Sequence, residues 1–359
     1  MRIVFDLDGV ICDLKKPSES YSDVTPKKEV IEKMQDLKER GHYLIIHTGR
    51  HMRTCEGDVT KVIEKIGKIT EDWLERWQVP YDELVFGKPY ADAYVDDLGI
   101  EFSTSQKLNE SLESKQPTII IPMAGEGKRF KDDGISKPKY MISVKDKTLF
   151  EWSIESLPID ISKKIIFVCL EEHEKKYNVS KFIENIMQSV FFKSHDYNII
   201  LIKQTTGGQV ETTLKAKDLV DPDDTLIIYN IDTHFVSTRL KSKIFTLKNR
   251  KIDGLLGCFE SDDPNLSYVE CDKDELVKQV KEKEQISKNA STGLYVFSKA
   301  KEFFDAGEEM IKNEIKIKNE FYVSEIYNML LKLDKKFEID VAEEFFPLGT
   351  PDDVKKFER

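Results

Sequence analysis

Ile3-Val4-Phe5-Asp6-Leu7-Asp8-Gly9 is a short apolar run that breaks at once into a loop of two carboxylates and a glycine. Thr118-Ile119-Ile120-Ile121 does the same, running straight into Pro122-Met123-Ala124-Gly125-Glu126-Gly127. Each pairing of a strand with a phosphate-type loop opens a separate α/β segment, so the chain reads as two domains. Between them, residues 104–117 (TSQKLNESLESKQP) are polar, rich in Ser and Glu, and closed by a proline, which is linker composition.

Within residues 1–103 strand and helix signals alternate. Residues 26–40 form an amphipathic pattern stopped by Gly41, residues 43–46 a strand, residues 59–78 a helix, and residues 84–86 and 93–95 two more strands. Apolar strands alternating with helices predict a parallel sheet covered on both faces, with ligands at the carboxyl ends of its strands. Residues 118–359 alternate again, with strands expected at 118–121, 164–169, 198–202, 225–229, 254–259 and 293–297. Trp73 and Trp77, four apart on a helix, are expected in the core.

The length of 359 residues exceeds one ordinary core, which agrees with two domains. With 40% hydrophobic and 34% charged residues the class is soluble and globular. A net charge of −11 argues against general nucleic-acid binding, though not against a local phosphate pocket. No run approaches the ~20 apolar residues of a membrane helix. MRIVFDLDGV shows no signal peptide, and the five cysteines contain no CxxC pair, so a cytoplasmic chain with reduced thiols is expected.

The polar residues of the first segment cluster at strand ends: Asp6 and Asp8, Thr48 in HTGR, Lys88 in GKP, and Asp96-Asp97 in YVDD. Singly, each has an ordinary reading as a turn, a cap or a solvated strand end. Together they can hold one Mg²⁺ through oxygen ligands, neutralise a phosphoryl group and attack phosphorus with a carboxylate. This ordered set resembles the haloacid-dehalogenase superfamily of phosphatases over about residues 1–103. The resemblance implies a small Rossmann-like domain, Asp6 as nucleophile, Asp8 as acid/base, and Thr48 and Lys88 on the transferring phosphoryl group. It also implies a Mg²⁺ site of Asp6, the Asp8 backbone carbonyl, Asp96 and Asp97. The short spacing around Thr48 leaves little room for a large cap. His47, Arg50, His51 and Arg53 either reach an anionic substrate or are surface polar residues.

In the second segment the glycines of residues 122–130 (PMAGEGKRF) let backbone N–H groups approach an oligophosphate, and Lys128 and Arg129 add charge. A dinucleotide GxGxxG and a GK[ST] phosphate loop are both absent. Lys137-Pro138-Lys139, Gln204, Gly207-Gly208, Asn230-Ile231-Asp232, Glu282-Lys283 and Thr292-Gly293-Leu294-Tyr295-Val296-Phe297 follow. The series resembles the sugar-phosphate nucleotidyltransferases over about residues 117–355. That resemblance implies a larger domain with a mixed sheet, whose loop Ala124, Gly125, Gly127, Lys128 and Arg129 holds a nucleoside triphosphate. Lys137 would stabilise charge at the α-phosphorus, Gln204 and Gly208 would face the base, and Asn230 would also bind nucleotide. Asp232 would hold Mg²⁺, while Glu282, Lys283 and Gly293 would meet the phosphorylated acceptor. One position departs from the pattern: relatives carry an aspartate before a GT pair, where this chain has Pro347 before Gly349-Thr350. Asp352 and Asp353 either replace that carboxylate or cap the last helix. His234 either touches the acceptor or packs.

The reading is an α/β chain of two domains, 1–103 and 118–359, acting as a bifunctional Mg²⁺-dependent enzyme. The two resemblances imply that it transfers a nucleotidyl group, CTP favoured, to a sugar or polyol phosphate for surface-polysaccharide precursors, and that it hydrolyses a phosphate monoester. The alternative keeps the transferase and makes the first domain a non-catalytic docking module. A homo-oligomer is compatible with the sequence.

Overall fold

The computed structural model describes residues 1–91, 93, 94, 96, 98–100, 102, 104, 116–188 and 195–358. The chain forms two compact units, Met1–Leu112 and Glu113–Arg359. Most of the expected linker, residues 105–115, lies outside the described residues. No helix among the described residues is long and apolar enough to cross a membrane.

The first unit is built on three parallel strands in the order β1-β2-β3: β1 (Arg2–Asp6), β2 (Tyr43–Thr48) and β3 (Glu83–Phe86). Helix Lys28–Glu39 buries Val30, Ile31, Met34 and Leu37, the face that its i, i+3, i+4 spacing dictates. It stops where Gly41, at φ +81°, takes the left-handed conformation that ends helices. A second helical stretch runs Val59–Val62, Ile63–Gly67 as one π-helical segment, then Lys68–Arg76. Phe5, Leu44, Ile46, Met34, Leu37, Trp73 and Leu74 make the core.

Three expectations change here. Burial alternates along β1 rather than covering both faces: Phe5 is buried and Val4 is 58% exposed. Trp73 is fully buried, with its indole N–H on the Val24 carbonyl at 2.9 Å, but Trp77 is 37% exposed because the helix ends at Arg76 and releases it. The expected strand at 93–95 is not formed at Ala93 and Tyr94, and Val95 lies outside the described residues. Tyr94 instead turns back on its own loop, hydrogen-bonding the Pro89 carbonyl and presenting its ring to Lys88 at 4.4 Å.

The second unit centres on a nine-stranded mixed sheet. Its strands are β4 (Thr118–Pro122), β7 (Lys164–Leu170), β8 (Tyr197–Ile202), β9 (Leu226–Tyr229), β11 (Gly254–Glu260), β12 (Ser267–Cys271), β13 (Val277–Glu282), β14 (Asn289–Phe297) and β15 (Phe337–Val341). Two small ribbons pair β5 (Ser143–Val144) with β6 (Lys147–Thr148), and β10 (Thr233–Val236) with β16 (Glu344–Pro347). The run β9-β4-β7-β8 is parallel, and its side chains are the uninterrupted Ile/Val/Phe stretches Ile119–Ile121 and Ile165–Val168, all fully buried. Across β9, β14 turns the sheet antiparallel and pairs on its other side with β11. The strands that periodicity left out, β5, β6, β10, β12, β13, β15 and β16, are short or carry charge, as in Val277-Lys278-Gln279-Val280-Lys281-Glu282.

Candidate active sites

In the first unit, register brings three functional residues level. Asp6 lies opposite His47, and Thr48 lies opposite Phe86, so the strands finish side by side. Gly87, at φ +104°, turns the chain after β3, and the Lys88 N–H bonds the Thr48 carbonyl at 3.1 Å. The Lys88 ammonium then reaches Asp6 Oδ2 at 2.5 Å, while Oδ1 accepts the Leu7 N–H at 2.9 Å. Thr48 is fully buried. Asp6, Thr48 and Lys88 therefore come together as the sequence predicts.

Asp8 is held differently. Arg50, 2% exposed, donates from Nε to both Asp8 oxygens at 3.1 and 3.0 Å and from Nη2 to Oδ1 at 2.9 Å. Neither reading given to Arg50, a substrate contact or a surface residue, describes a guanidinium turned inward onto the second aspartate. Beside them, burial and then the Asp8 charge push the Cys12 thiol up to about 12. Burial, reinforced by the Lys88 charge, lowers the His47 pKa below the usual imidazole value. His51 Nδ1 is buried without a hydrogen-bond partner among the described residues, and Arg53 lies over the Tyr90 ring at 5.2 Å. Asp96 is exposed and caps the Leu98 N–H at 2.8 Å, and Asp97 lies outside the described residues.

In the second unit, β4 delivers the loop Met123–Gly127 to helix Lys128–Asp132. Met123 N–H anchors it to the Val168 carbonyl at 2.8 Å, and Gly127 takes φ +65° at the helix start. The loop forms one wall of a cavity of about 410 Å³. Ala124, Gly125 and Glu126 line that wall, Gly208, Gln209 and Thr212 a second, and Asn230, Ile231 and Asp232 a third. Lys139, Asn319 and Glu320 also line it. Asp232, just past β9, receives the Lys139 ammonium at 2.7 Å. Asn230 takes the Gln209 amide on its side-chain oxygen and donates its backbone N–H to the Gly293 carbonyl at 3.1 Å.

Two glycines are required by close approach. Gly208 sits at φ +149°, and a Cβ there would lie 2.5 Å from the Phe321 backbone nitrogen. Gly293, at φ +84°, would place a Cβ 2.8 Å from the Asn230 amide nitrogen. Gly293 is thus set behind Asn230 and does not line the cavity.

Ala124, Gly125, Gly208, Asn230 and Asp232 are the predicted residues that line the cavity, and Gly127 flanks it. Lys128, Arg129, Lys137 and Gln204 are exposed and outside the lining. Lys139, not Lys137, enters it: a 3-10 turn over Lys139–Met141 follows Pro138 and swings the second lysine of KPK inward. Gln209, Asn319 and Glu320 went unnoticed in the sequence. Gln209 opens a helix just after the noted Gly207-Gly208 pair, but Asn319 and Glu320 come from a distant turn with no motif. Glu282 is half-buried and accepts the hydroxyls of Ser267 and, at 3.3 Å, Ser324. Lys283 faces the Tyr322 hydroxyl at 3.4 Å.

Pro347 is exposed at the end of β16, opposite Thr233, so no carboxylate stands there. Thr350 caps helix Pro351–Glu358, accepting the Asp353 N–H at 3.1 Å, and the Asp353 carboxylate accepts the Thr350 hydroxyl at 2.6 Å, so Asp353 supports the cap rather than forming it. His234 packs rather than facing a ligand: Nδ1 is 2.8 Å from the Trp152 carbonyl, and the ring lies against Trp152 and Phe346. Burial lowers its pKa.

The nucleotidyl transferase family model matches residues 118–342, and the haloacid dehalogenase-like hydrolase model matches residues 3–228, running past Leu112 into the second unit. The chain belongs to both families. This nucleotidyl transferase and haloacid dehalogenase-like chain is therefore an enzyme. Among solved structures it is similar to the nucleoside-diphosphate-sugar pyrophosphorylase from Vibrio cholerae RC9, at 28% identity and TM-score 0.58, covering 67% of this chain and 99% of that one. Two others share the fold. A UDP-glucose pyrophosphorylase complexed with UDP-glucose is 16% identical, with TM-score 0.55, over 68% of this chain and 97% of that chain. The inositol-1-phosphate CTP transferase from T. maritima is 14% identical, with TM-score 0.51, over 67% and 91%. No curated protein matches the chain.

Proposed function

We propose that the chain is a bifunctional enzyme of surface-polysaccharide precursor synthesis. Residues 118–359 transfer a nucleotidyl group, with CTP favoured, to a sugar or polyol phosphate and release pyrophosphate. Residues 1–103, joined through 104–117, hydrolyse a phosphate monoester through an aspartyl phosphate. The observation that carries the reading is that each unit places an aspartate at a strand end and holds it with a lysine: Asp6 with Lys88, Asp232 with Lys139. Sugar-phosphate chemistry is supported by the Vibrio cholerae relative, whose name is nucleoside-diphosphate-sugar pyrophosphorylase.

In the first unit, Asp6 attacks phosphorus, Lys88 and Thr48 offset charge on the phosphoryl oxygens, and Asp8 handles the proton of the leaving group and then of water. In the second, the acceptor phosphate attacks the α-phosphorus in line while the 123–127 backbone and Lys139 hold the triphosphate, and the Gln209–Asn230 amides offer donors and acceptors to the nucleoside. Mg²⁺, a hard cation with oxygen ligands, would be held by Asp6 and the Asp8 carbonyl in one unit, joined by Asp96 and Asp97 as the resemblance implies, and by Asp232 in the other. Among the described residues no three His, Cys, Asp or Glu side chains stand together as a metal site. Phosphate oxygens and water would fill the shell, which is how Mg²⁺ is ordinarily held. When bound it would neutralise phosphate charge.

The test incubates the protein and Mg²⁺ with CTP, UTP, dTTP, GTP or ATP and a pool of sugar and polyol phosphates. Pyrophosphate and free phosphate are followed together, in wild type and Asp6→Asn. Pyrophosphate from one nucleotide, with free phosphate lost in the variant, is the expected result. Pyrophosphate with phosphate release equal in both proteins would leave the first unit as a docking module.

A further inference from the structure

The mechanism above uses Asp8 but gives no role to the cation that holds it. Arg50 is buried, and all three of its guanidinium nitrogens meet neighbours: Asp8 by three contacts, Thr70 Oγ1 by Nη1 at 3.3 Å, and the Cys12 sulfur by Nη2 at 3.6 Å. Its plane lies over the Tyr21 ring at 4.6 Å and near Trp73 at 5.8 Å. Its backbone N–H binds Thr48 Oγ1 at 3.2 Å, so one residue links the second aspartate to the strand end that carries the threonine.

Stability does not account for this arrangement. Burying a guanidinium carries a desolvation cost that its ion pair commonly does little more than offset. What the pair provides is orientation: a planar fork bound to both oxygens fixes a carboxylate in one rotamer, which a lysine cannot do. We propose that Arg50 is a positioning residue that holds Asp8 in the orientation from which it accepts the proton of the hydrolytic water. In that step the water oxygen bonds to phosphorus and the bond from phosphorus to the Asp6 oxygen breaks, its electron pair returning to Asp6. The water proton passes to Asp8, and inorganic phosphate leaves. The proposal rests on the phosphatase reading of the first unit.

The experiment uses the full chain with Mg²⁺ and para-nitrophenyl phosphate, whose leaving group departs without a proton and so isolates the hydrolytic step. Arg50→Gln is expected to lower kcat by about 100-fold or more with KM changed less than about threefold. Acid-quenched Arg50→Gln should retain phosphoryl label that Asp6→Asn in the same background lacks. Millimolar methylguanidinium should raise the kcat of Arg50→Ala by about tenfold or more, where methylammonium does not. A folded Arg50→Gln with kcat within about threefold of wild type overturns the proposal, as does a loss without trapped label or rescue. If Arg50→Gln does not fold, Arg50→Lys decides, because wild-type kcat in a folded Arg50→Lys also overturns it. A wild type that releases no Asp6-dependent phosphate overturns the phosphatase reading with it, whereas an active wild type beside an equally active Arg50→Gln removes only this inference.

Discussion

The two units share an aspartate held by a lysine and differ in what surrounds that pair. In the first, both acids are already matched, Asp6 to Lys88 and Asp8 to Arg50, and Arg50 and Thr48 are buried. In the second, Asp232 and Lys139 pair inside a cavity of about 410 Å³, while Lys128 and Arg129 stand exposed at its loop. The difference follows from what each proposed reaction asks of the protein. A side chain that itself bonds to phosphorus must be aimed within fractions of an ångström before substrate arrives. A reaction between two bound phosphates asks for room and for cations free to move onto charge as it develops.

The largest effects should separate the units. Asp6→Asn is expected to bring phosphate release to background and leave pyrophosphate release within about twofold, because a carboxamide cannot serve as the nucleophile. Asp232→Ala should lower nucleotidyl transfer by about 10²–10³-fold and leave phosphatase activity intact. Loss of both activities in either variant, with the fold preserved by circular dichroism, would break the comparison.

Next in size is the pair of lysines that flank Pro138. Lys139→Ala removes the cation bound to Asp232 and should cost about 100-fold in nucleotidyl transfer. Lys137→Ala changes an exposed residue outside the cavity and should cost less than about fivefold. The reverse order would show that the 136–139 segment rearranges when nucleotide binds, and would place Lys137 where the sequence put it.

That contrast also marks how far the sequence could be read. Thr118–Ile121 and Lys164–Cys169 were legible because buried parallel strands are continuous apolar runs. Asp6, Thr48 and Lys88 were legible because parallel strands end on the same edge, so order along the chain becomes proximity. Lys139 was not, since two lysines either side of one proline differ only in the turn that follows. Arg50 was not, because an arginine two residues after Thr48 looks the same in sequence whether it turns outward to solvent or inward to Asp8. Asn319 and Glu320 reach the cavity only through tertiary packing: the Gly207 carbonyl accepts the Phe321 N–H at 3.0 Å, and the Phe321 carbonyl accepts the Val210 N–H at 3.1 Å.

The segment at Phe321, a strap hydrogen-bonded to Gly207 and Val210, gives a smaller effect. Gly208→Ala would drive a methyl to 2.5 Å from the Phe321 nitrogen and 2.7 Å from its carbonyl oxygen, both backbone atoms that cannot rotate away. Strain of this kind costs roughly 1–3 kcal/mol. Nucleotidyl transfer should fall with the thermal midpoint of the second unit, while phosphatase activity at 25 °C stays unchanged. A Gly208→Ala protein with wild-type midpoint and transfer rate would show that the strap is not fixed.

The smallest expected effect concerns acid. His234 is packed between Trp152 and Phe346, and burial lowers its pKa from the ordinary 6.5. Because the folded value lies below the unfolded one, the unfolded chain binds the proton first as pH falls. Stability is therefore unaffected well above pH 6.5 and declines as pH drops below 6.5 towards the folded value. His173, also lowered by burial, adds a slope of the same sign in the second unit, and His47 adds one in the first. His234→Gln removes the titration while leaving an amide that can donate to the Trp152 carbonyl. Its thermal midpoint between pH 7.5 and 5.5 should fall less steeply than that of wild type. A parallel fall in both proteins would mean that His234 takes up its proton as readily in the folded state as in the unfolded chain.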